Sequence, residues 1–236
     1  TQDGGAVFNE ASADVDFRVE SDGNTHMLFV DAGNNRVGVG ASSPQTLLDV
    51  SEFGGTPTIR ITNSDGTFSA GQDIGKFEFF CNDASTPGAR VASYILSQAA
   101  GTQGGGDLQF ATCTNAGTVA EAMRIDSTGN VGIGETSPDT ILHAKTSSSA
   151  DGFKIESTAA GATAGPFLKL DRNSSSPADD DGLGYLDFDG RNSAGETLTY
   201  TTFRATLEDE ADGSEDGGFF LSTKVAGTTR SRISGN

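Results

Sequence analysis

The chain has 236 residues, a mass of 24.2 kDa and a formal net charge of −18 at pH 7. This acidic balance argues against nucleic acid and anionic membrane surfaces as partners. No apolar run reaches the ~18 residues that membrane insertion requires, and the start of the chain lacks the pattern of a signal peptide. Glycine is frequent, tryptophan is absent and apolar residues make up only 34%, which is typical of many short strands joined by turns.

Residues 1–36 are interpreted as the end of a preceding β module. Residues 17–24 and 28–34 each read as a short alternating strand that closes on an acidic residue and a Gly-Asn turn. Glycine and asparagine tolerate the positive φ that a tight reversal requires. The opening Thr1, together with a motif that stops at Gly235 and Asn236, predicts a segment of a longer chain, ending as a third junction begins.

A glycine-rich motif organises the chain and occurs twice, at residues 34–44 and 129–138. The second copy reads Gly-Asn-Val-Gly-Ile-Gly-Glu-Thr-Ser-Pro. On a strand its two apolar residues share one face and two of its glycines share the other, which is therefore bare. Because Gly-x-Gly strands often mark the close approach of another backbone, we expect strands of several chains to pack here around a common axis. The predicted junction residues are Val37, Gly38, Val39, Gly40, Val131, Gly132, Ile133 and Gly134.

Internal repeats define the modules, since insertions fall in the loops between corresponding strands. The predicted fold is all-β, with β-sandwich-like modules in tandem joined by narrow Gly-rich junctions. The predicted limits are 1–36 for the preceding module, 37–130 for module 1 and 131–236 for module 2. Single helical turns are the only helical structure expected, at residues 45–49 and 139–143. The strands that correspond between module 1 and module 2 are 57–61 and 166–170, 74–79 and 183–188, 92–96 and 200–204, 107–112 and 218–223, and 124–125 and 232–233.

Apolar strand faces are expected to form the cores of the modules. Alternation places large apolar residues on one face of each predicted strand. The predicted core residues are Phe77, Phe79, Leu108 and Phe110, with their counterparts Leu186, Phe188, Phe219 and Leu221.

The motif Met-Arg-Ile-Asp-x-x-Gly-Asn-Val-Gly-Ile-Gly-x-x-Ser-Pro-x-x-x-Leu at residues 123–142 resembles the repeat of bacteriophage tail fibres and related virion appendages. Residues 28–48 carry the same motif with Asn35 and Arg36 inserted. The resemblance implies an elongated, intertwined homotrimer on the virion surface, with other tail or appendage proteins as partners. It also implies that some relatives end in a self-cleaving chaperone domain of the endosialidase type. Nothing in this chain matches such a domain, so it is expected downstream or removed.

Two glycine-rich motifs match nucleotide-binding motifs in part, but each lacks a required residue. The Gly-x-Gly pairs have Ser43 and Ser137 where a dinucleotide fingerprint needs its third glycine, and Pro follows instead of a continuing helix. The run at residues 101–106 has Asp107 where a phosphate-binding loop needs lysine. We therefore expect no cofactor.

Metal and thiol chemistry is also weakly supported. His26 and His143 have no cysteine or histidine nearby in sequence, so a zinc site is not expected. His143 is expected to pack beside the junction. Cys81 and Cys113 lie in apolar strand patterns, and we expect buried free thiols in preference to a disulfide.

Two acidic segments, residues 179–182 and 208–216, raise the question of calcium. The second has carboxylates at positions 1, 3 and 5 and glycine at position 6 of a calcium loop, but Phe219 occupies the place of the bidentate glutamate. Solvated loops are the favoured interpretation. The alternative hypothesis is that three symmetry-related acidic loops share one Ca²⁺.

The function we expect is structural and not enzymatic: a segment of a trimeric phage tail fibre or appendage involved in host attachment. Loops 99–106 and 208–217 are expected to face outward, where a host receptor or glycan could touch them, although no receptor-binding residue is assigned. One alternative is an adhesive fibre of a bacterial surface or injection device. The other is a polysaccharide-degrading tailspike, which needs paired acids beside a sugar-sized cleft. Asp187 and Asp189 share a strand face, but no cleft is indicated.

Overall fold

A computed structural model describes residues 8–9, 11–85, 87–147, 152–161 and 165–235. These residues contain fourteen strands and no helix, which confirms the predicted all-β class. The chain divides into two units, residues 1–152 and 153–236, and each is described by itself. The module limits drawn from the repeat stay a prediction.

The first unit holds two sheets. The first sheet has the order β1-β2-β3-β4, and β4 runs parallel to β3 while the other pairs are antiparallel. Its strands are β1 (Phe17–Ser21), β2 (Asn24–Asp31), β3 (Arg36–Val39) and β4 (Leu48–Val50). The second sheet has the order β10-β9-β8-β7-β6-β5 and again ends in a parallel pair, β9 with β10. Its strands are β5 (Asp73–Cys81), β6 (Arg90–Ala99), β7 (Gly106–Cys113), β8 (Val119–Ile125), β9 (Val131–Ile133) and β10 (Leu142–Ala144).

The second unit holds one antiparallel sheet with the order β11-β12-β13-β14. Its strands are β11 (Gly182–Arg191), β12 (Thr197–Asp209), β13 (Asp216–Val225) and β14 (Thr228–Gly235). This order matches that of β5 to β8, so the strands paired by the sequence repeat occupy corresponding places in two sheets. Insertions fall outside the ladders, where the backbone tolerates them.

Every sheet has one apolar face. Residues paired directly across a ladder share a face, so the registers define rows of side chains. In the second sheet one row crosses all six strands: Phe77, Ile95, Phe110, Met123, Ile133 and Ala144. The corresponding rows are Phe17, Val30, Val37 and Leu48 in the first sheet, and Leu186, Phe203, Leu221 and Ile233 in the third.

The opposite faces are largely polar. In the second sheet the adjacent row consists of Lys76, Leu96, Gln109, Arg124, Gly132 and His143. Alternation within one strand therefore separates two chemically different surfaces.

The predicted strands at 57–61 and 166–170 are not paired strands. Residues 57–62, called strap 1, and residues 166–171, called strap 2, are extended, and none of their backbone groups bonds to the backbone of the described part of the chain. The prediction of a strand at each of these positions is therefore wrong for the single chain. The pattern in the sequence is correct for a strand, but the chain itself supplies no partner.

Two further predictions are corrected. Residues 45–49 and 139–143 form no helical turn, because β4 begins at Leu48 and β10 at Leu142. The outward loop predicted from Ala99 begins later, since Ala99 is the buried last residue of β6. The predicted Gly-Asn reversals are confirmed at Gly23 and Gly129, which have φ of 87° and 91°.

The turn between β13 and β14 offers a test of backbone strain. It consists of Ala226 and Gly227, both with positive φ (47° and 79°), which is the two-residue hairpin turn that favours Asn-Gly. Ala226→Asn should stabilise the protein by about 0.5–1 kcal/mol because asparagine tolerates this region better than alanine. Thermal unfolding should show a rise of about 2–4 °C.

The matched control is Ala116→Asn in the corresponding hairpin of the second sheet, where Gly117 alone has positive φ. No gain is expected there. Equal gains in both variants would contradict the assignment of strain to Ala226.

Candidate assembly surfaces

The glycines of the junction motif make room for a loop of their own chain. After β3 the chain turns back across the sheet and returns as the parallel strand β4. A Cβ on Gly38 would lie 2.5 Å from the carbonyl oxygen of Ala41, and a Cβ on Gly132 would collide with the carbonyl oxygen of Glu135. A short connection between parallel neighbours is possible here because the strand face beneath the loop has no side chain.

The next glycine of each motif makes the turn itself. Gly40 and Gly134 have φ of +73° and +66°, and a Cβ on either would collide with a carbonyl oxygen of the returning chain, that of Ser51 or Lys145. The interpretation that the bare glycine face of Gly38 and Gly132 requires a sister polypeptide is therefore wrong. The face is bare because the chain's own loop covers it.

Buried proline holds each loop in place. Pro44 is fully buried, and its carbonyl accepts a 2.7 Å hydrogen bond from Nη1 of Arg36. In the second junction Pro138 is also buried, and Nδ2 of Asn130 donates to its carbonyl over 3.4 Å. Two different side chains at corresponding positions thus satisfy the same backbone group.

Charged side chains complete the second junction. Lys145 Nζ lies 2.6 Å from one carboxylate oxygen of Glu135, and the N–H of Ser137 donates to the other over 2.9 Å. These contacts hold the pKa of Glu135 below its ordinary value. His143 pairs with Gly132 in the ladder, as expected for a residue beside the junction. Its Nδ1 lies 3.0 Å from Asp139 Oδ1 but is not aligned for a hydrogen bond.

An ion-pair network occupies the polar face of the second sheet. Arg124 donates to both carboxylate oxygens of Glu121 over 2.7 Å and to Asp107 over 2.9 Å. The Glu121 carboxylate raises the pKa of Arg124, so the guanidinium stays charged. All three side chains are about 85% buried, and the single guanidinium contacts both carboxylates. Removal of any one member would leave a buried charge without its partner, so the network depends on all three.

The apolar faces, in contrast, are open to solvent. Phe77 is 52% exposed, Ile133 47%, Leu48 59% and Ile233 57%. The predicted core residues Phe77, Phe79, Leu186 and Phe188 lie on these faces and are not covered by their own chain. Such continuous apolar surfaces mark interaction sites in soluble proteins.

The accessible area gives the scale of this exposure. The chain exposes 17461 Å². Two separate compact domains with the lengths of the two units would expose roughly 12,000 Å². The excess of roughly 5,000 Å² on one chain exceeds one partner's share of an obligate interface, which is about 1,000–2,500 Å² when the total is about 2,000–5,000 Å².

Each strap is attached to its sheet at two points. Ile61 of strap 1 fills the space above Gly75, with its Cγ2 2.6 Å from the place of a Cβ, and Leu170 of strap 2 lies in the same way above Gly184, at 2.9 Å. Asn63 Nδ2, just beyond strap 1, donates to the carbonyl of Asp73, the first residue of β5. In the second unit Arg172 Nη1 donates to the carbonyl of Gly182, the first residue of β11, over 3.3 Å.

Beside each strap lies an apolar groove. The first has a volume of about 260 Å³ and the second about 340 Å³. Their linings correspond: Ile61, Gly75, Phe77 and Ile95 in the first, and Leu170, Gly184, Leu186 and Phe203 in the second. One feature of the sequence could have indicated these grooves. Each repeat has an aliphatic residue in the strap (Ile61 or Leu170) and a glycine in the edge strand (Gly75 or Gly184) at equivalent positions.

The two acidic segments meet in the second unit. Asp179, Asp209 and Glu210 each place a carboxylate oxygen within 4.8 Å of the others. The hydrogen bond to Asp179 raises the pKa of Glu210, and the negative charge of Asp179 acts in the same direction. The sequence placed these residues in separate loops and did not show that they come together. The calcium hypothesis stays a prediction, which calorimetric titration with Ca²⁺ decides.

The cysteines and the other possible metal ligands form no further site among the described residues. Cys81 and Cys113 are free, as predicted, but they are half-buried and not fully buried. Among the described residues, the acidic cluster is the single group of three or more metal-binding side chains close enough to share an ion. No described helix could span a membrane.

Comparison with solved structures identifies the same architecture in phage proteins. The carboxy-terminal domain of the bacteriophage T5 L-shaped tail fibre superimposes with a TM-score of 0.62 at 12% identity, over 82% of this chain and 87% of that one. The same domain with its intra-molecular chaperone domain gives a TM-score of 0.62 at 13% identity, over 78% of this chain and 58% of that one. Comparison with protein families and with curated proteins finds no match. The fold is therefore that of a phage tail-fibre domain.

Substitution of a junction glycine tests the loop geometry. Gly132→Ala should destabilise the protein by about 1–3 kcal/mol, because the added Cβ collides with the carbonyl of Glu135, a backbone atom that cannot move without shifting the loop. Gly66→Ala is the control, since a Cβ there meets nothing within 4 Å. Urea unfolding measures both variants. A neutral Gly132→Ala would show that the loop does not need the bare face.

Acid titration tests the second junction. The pKa of Glu135 is lowered in the folded chain, so its contribution to stability is present above its unfolded pKa of about 4.3 and is lost as pH falls through the folded value. Glu135→Gln should therefore flatten the loss of stability between about pH 5 and pH 3. Lys145→Met should act in the same direction, and the double variant should add nothing further. Additive effects would contradict the pairing.

Proposed function

We propose that this chain is a structural segment of a trimeric bacteriophage tail fibre or virion appendage. The observation that carries the proposal is the uncovered apolar face present on every sheet. A chain with this much unburied apolar surface is unstable against association until the surface is covered. Supporting it, the fold is shared with the T5 tail-fibre domain, and the junction motif resembles repeats of such appendages.

The proposed mechanism is mechanical. Three copies would cover one another's apolar faces, with Val37, Val39, Val131 and Ile133 lining the junction interior. The glycines between them belong to the loop crossing on the other face. The assembled segment would hold host-contacting parts away from the virion, with tail proteins as neighbours and a host receptor or glycan as the distal partner.

We propose that the segment is not an enzyme. Among the described residues, the acids grouped closely enough to share an ion are Asp179, Asp209 and Glu210, and the hydrogen bond to Asp179 raises the pKa of Glu210. Incubation with host capsule or lipopolysaccharide followed by a reducing-end assay tests this proposal. Release of reducing ends would favour the tailspike alternative.

Light scattering tests the assembly. The expected mass in solution is three times the 24.2 kDa of the chain. A monodisperse monomer would contradict the proposed assembly. A stable dimer would contradict the proposal that the assembly is a trimer.

Thiol labelling tests which face is covered. Phe77 and Glu78 are neighbours on β5 that point to opposite faces, and in the chain alone both are accessible (Phe77 52% exposed, the Glu78 side chain 36%). In a background with Cys81 and Cys113 replaced by serine, Phe77→Cys should react at least about tenfold more slowly than Glu78→Cys. Equal rates in an assembled protein would show that the apolar face is not the contact surface.

A further inference from the structure

Both straps present a backbone without a partner. Strap 1 and strap 2 are each held near their C-terminal end, by one aliphatic side chain (Ile61 or Leu170) and by the polar side chain two residues further on. Among the described residues, no backbone group of either strap bonds to another backbone group. Backbone groups that lie on an apolar surface need partners, because water is excluded there once the surface is covered.

Each unit also has an edge strand that is open on one side. β5 is the outer strand of its sheet and β11 is the outer strand of the third sheet, and each pairs on one side only. With spans of Asp73–Cys81 and Gly182–Arg191, these edges are long. Proteins normally cover such edges or interrupt them, since an open edge is a template for another strand.

A strap cannot pair with the edge of its own sheet. Ile61 and Leu170 attach each strap to the face of the sheet, above the glycine of the edge strand, while strand pairing requires a position beside that edge. The polar anchors Asn63 and Arg172 already take the first carbonyl of the edge strand. The attachment within the chain therefore leaves both the strap and the edge unpaired.

We propose that each strap adds as a strand to the open edge of a second copy of this chain, strap 1 to β5 and strap 2 to β11. The inference rests on the proposed function and names the contact that joins the copies. Each unit supplies one strap and one edge, so the donors and acceptors match one to one in a closed ring of copies. Main-chain hydrogen bonds provide the pairing, and the adjoining apolar grooves receive side chains of the neighbour.

The excess accessible area agrees with a second copy as the occupant. Roughly 5,000 Å² of surface beyond that of compact units exceeds what a transient partner of standard size covers, about 800 Å² on each side. Each of the two units has one strap and one open edge strand. Two neighbouring copies would therefore make two such contacts.

Hydrogen exchange with light scattering on the same sample tests the inference. In the assembled protein the amides of residues 58–62 and 167–171, and the β5 amides that point away from β6, should exchange at least about 100-fold more slowly than free peptide. Residues 210–215, a loop in the same chain, should exchange fast. Phe77→Asp should reduce the mass to that of one chain and release strap protection, while the interior strand β7 stays protected and reports the fold.

Each outcome decides one proposal. A trimer whose straps exchange at the free-peptide rate overturns the strand addition and leaves the proposed function standing. A trimer with protected straps but fast outer amides on β5 overturns the choice of the edge as the acceptor. A monomer overturns the assembly itself, and protected straps in that monomer would show that they pair within their own chain.

Discussion

The structure depends on one constraint: each sheet is apolar on one face, and the described part of the chain provides no second layer for that face. Alternation along β5 to β10 gives rows that cross all six strands between the register shifts, one with Phe77 and Ile133 and the other with Lys76 and Gly132. The polar row is satisfied internally by the Arg124 network. Among the described residues, strap 1 covers the apolar face at the β5 end of this sheet, where Ile61 lies above Gly75. Association, rather than a core within one chain, is what such a surface requires.

The two repeats share hydrogen bonds to the same backbone groups even where the side chains that make them differ. Asn63 and Arg172 differ in size and charge, yet both donate to the first carbonyl of an edge strand. Arg36 and Asn130 likewise hold the carbonyl of a buried proline. In both cases the maintained quantity is the hydrogen bond to a backbone group, which several side chains can provide. A sheet with an open face is thus reproduced twice by different sequences.

The strands and their faces could be predicted from the sequence because period-2 alternation depends only on local geometry. The role of the glycines could not. Val-Gly-Val-Gly shows that one strand face is bare, but it does not show whether the atoms above Gly38 belong to the same chain or to another. The answer depends on the path of the loop through Ala41, which is a tertiary property. For the same reason the meeting of Asp179 with Glu210 was not predictable, since the two lie in loops set by different strands.

Charge restricts where copies of this chain can meet. With a net charge of −18, two copies repel wherever their acidic surfaces approach. The rows that contain Phe77 and Leu108 carry no charged residue, whereas the opposite face carries pairs such as Arg124 with Glu121 that are already neutralised within the chain. Contact through the apolar face therefore brings no charged residue of these rows against another copy. In the proposed assembly the net charge would therefore favour contact through the uncharged rows over contact between acidic surfaces.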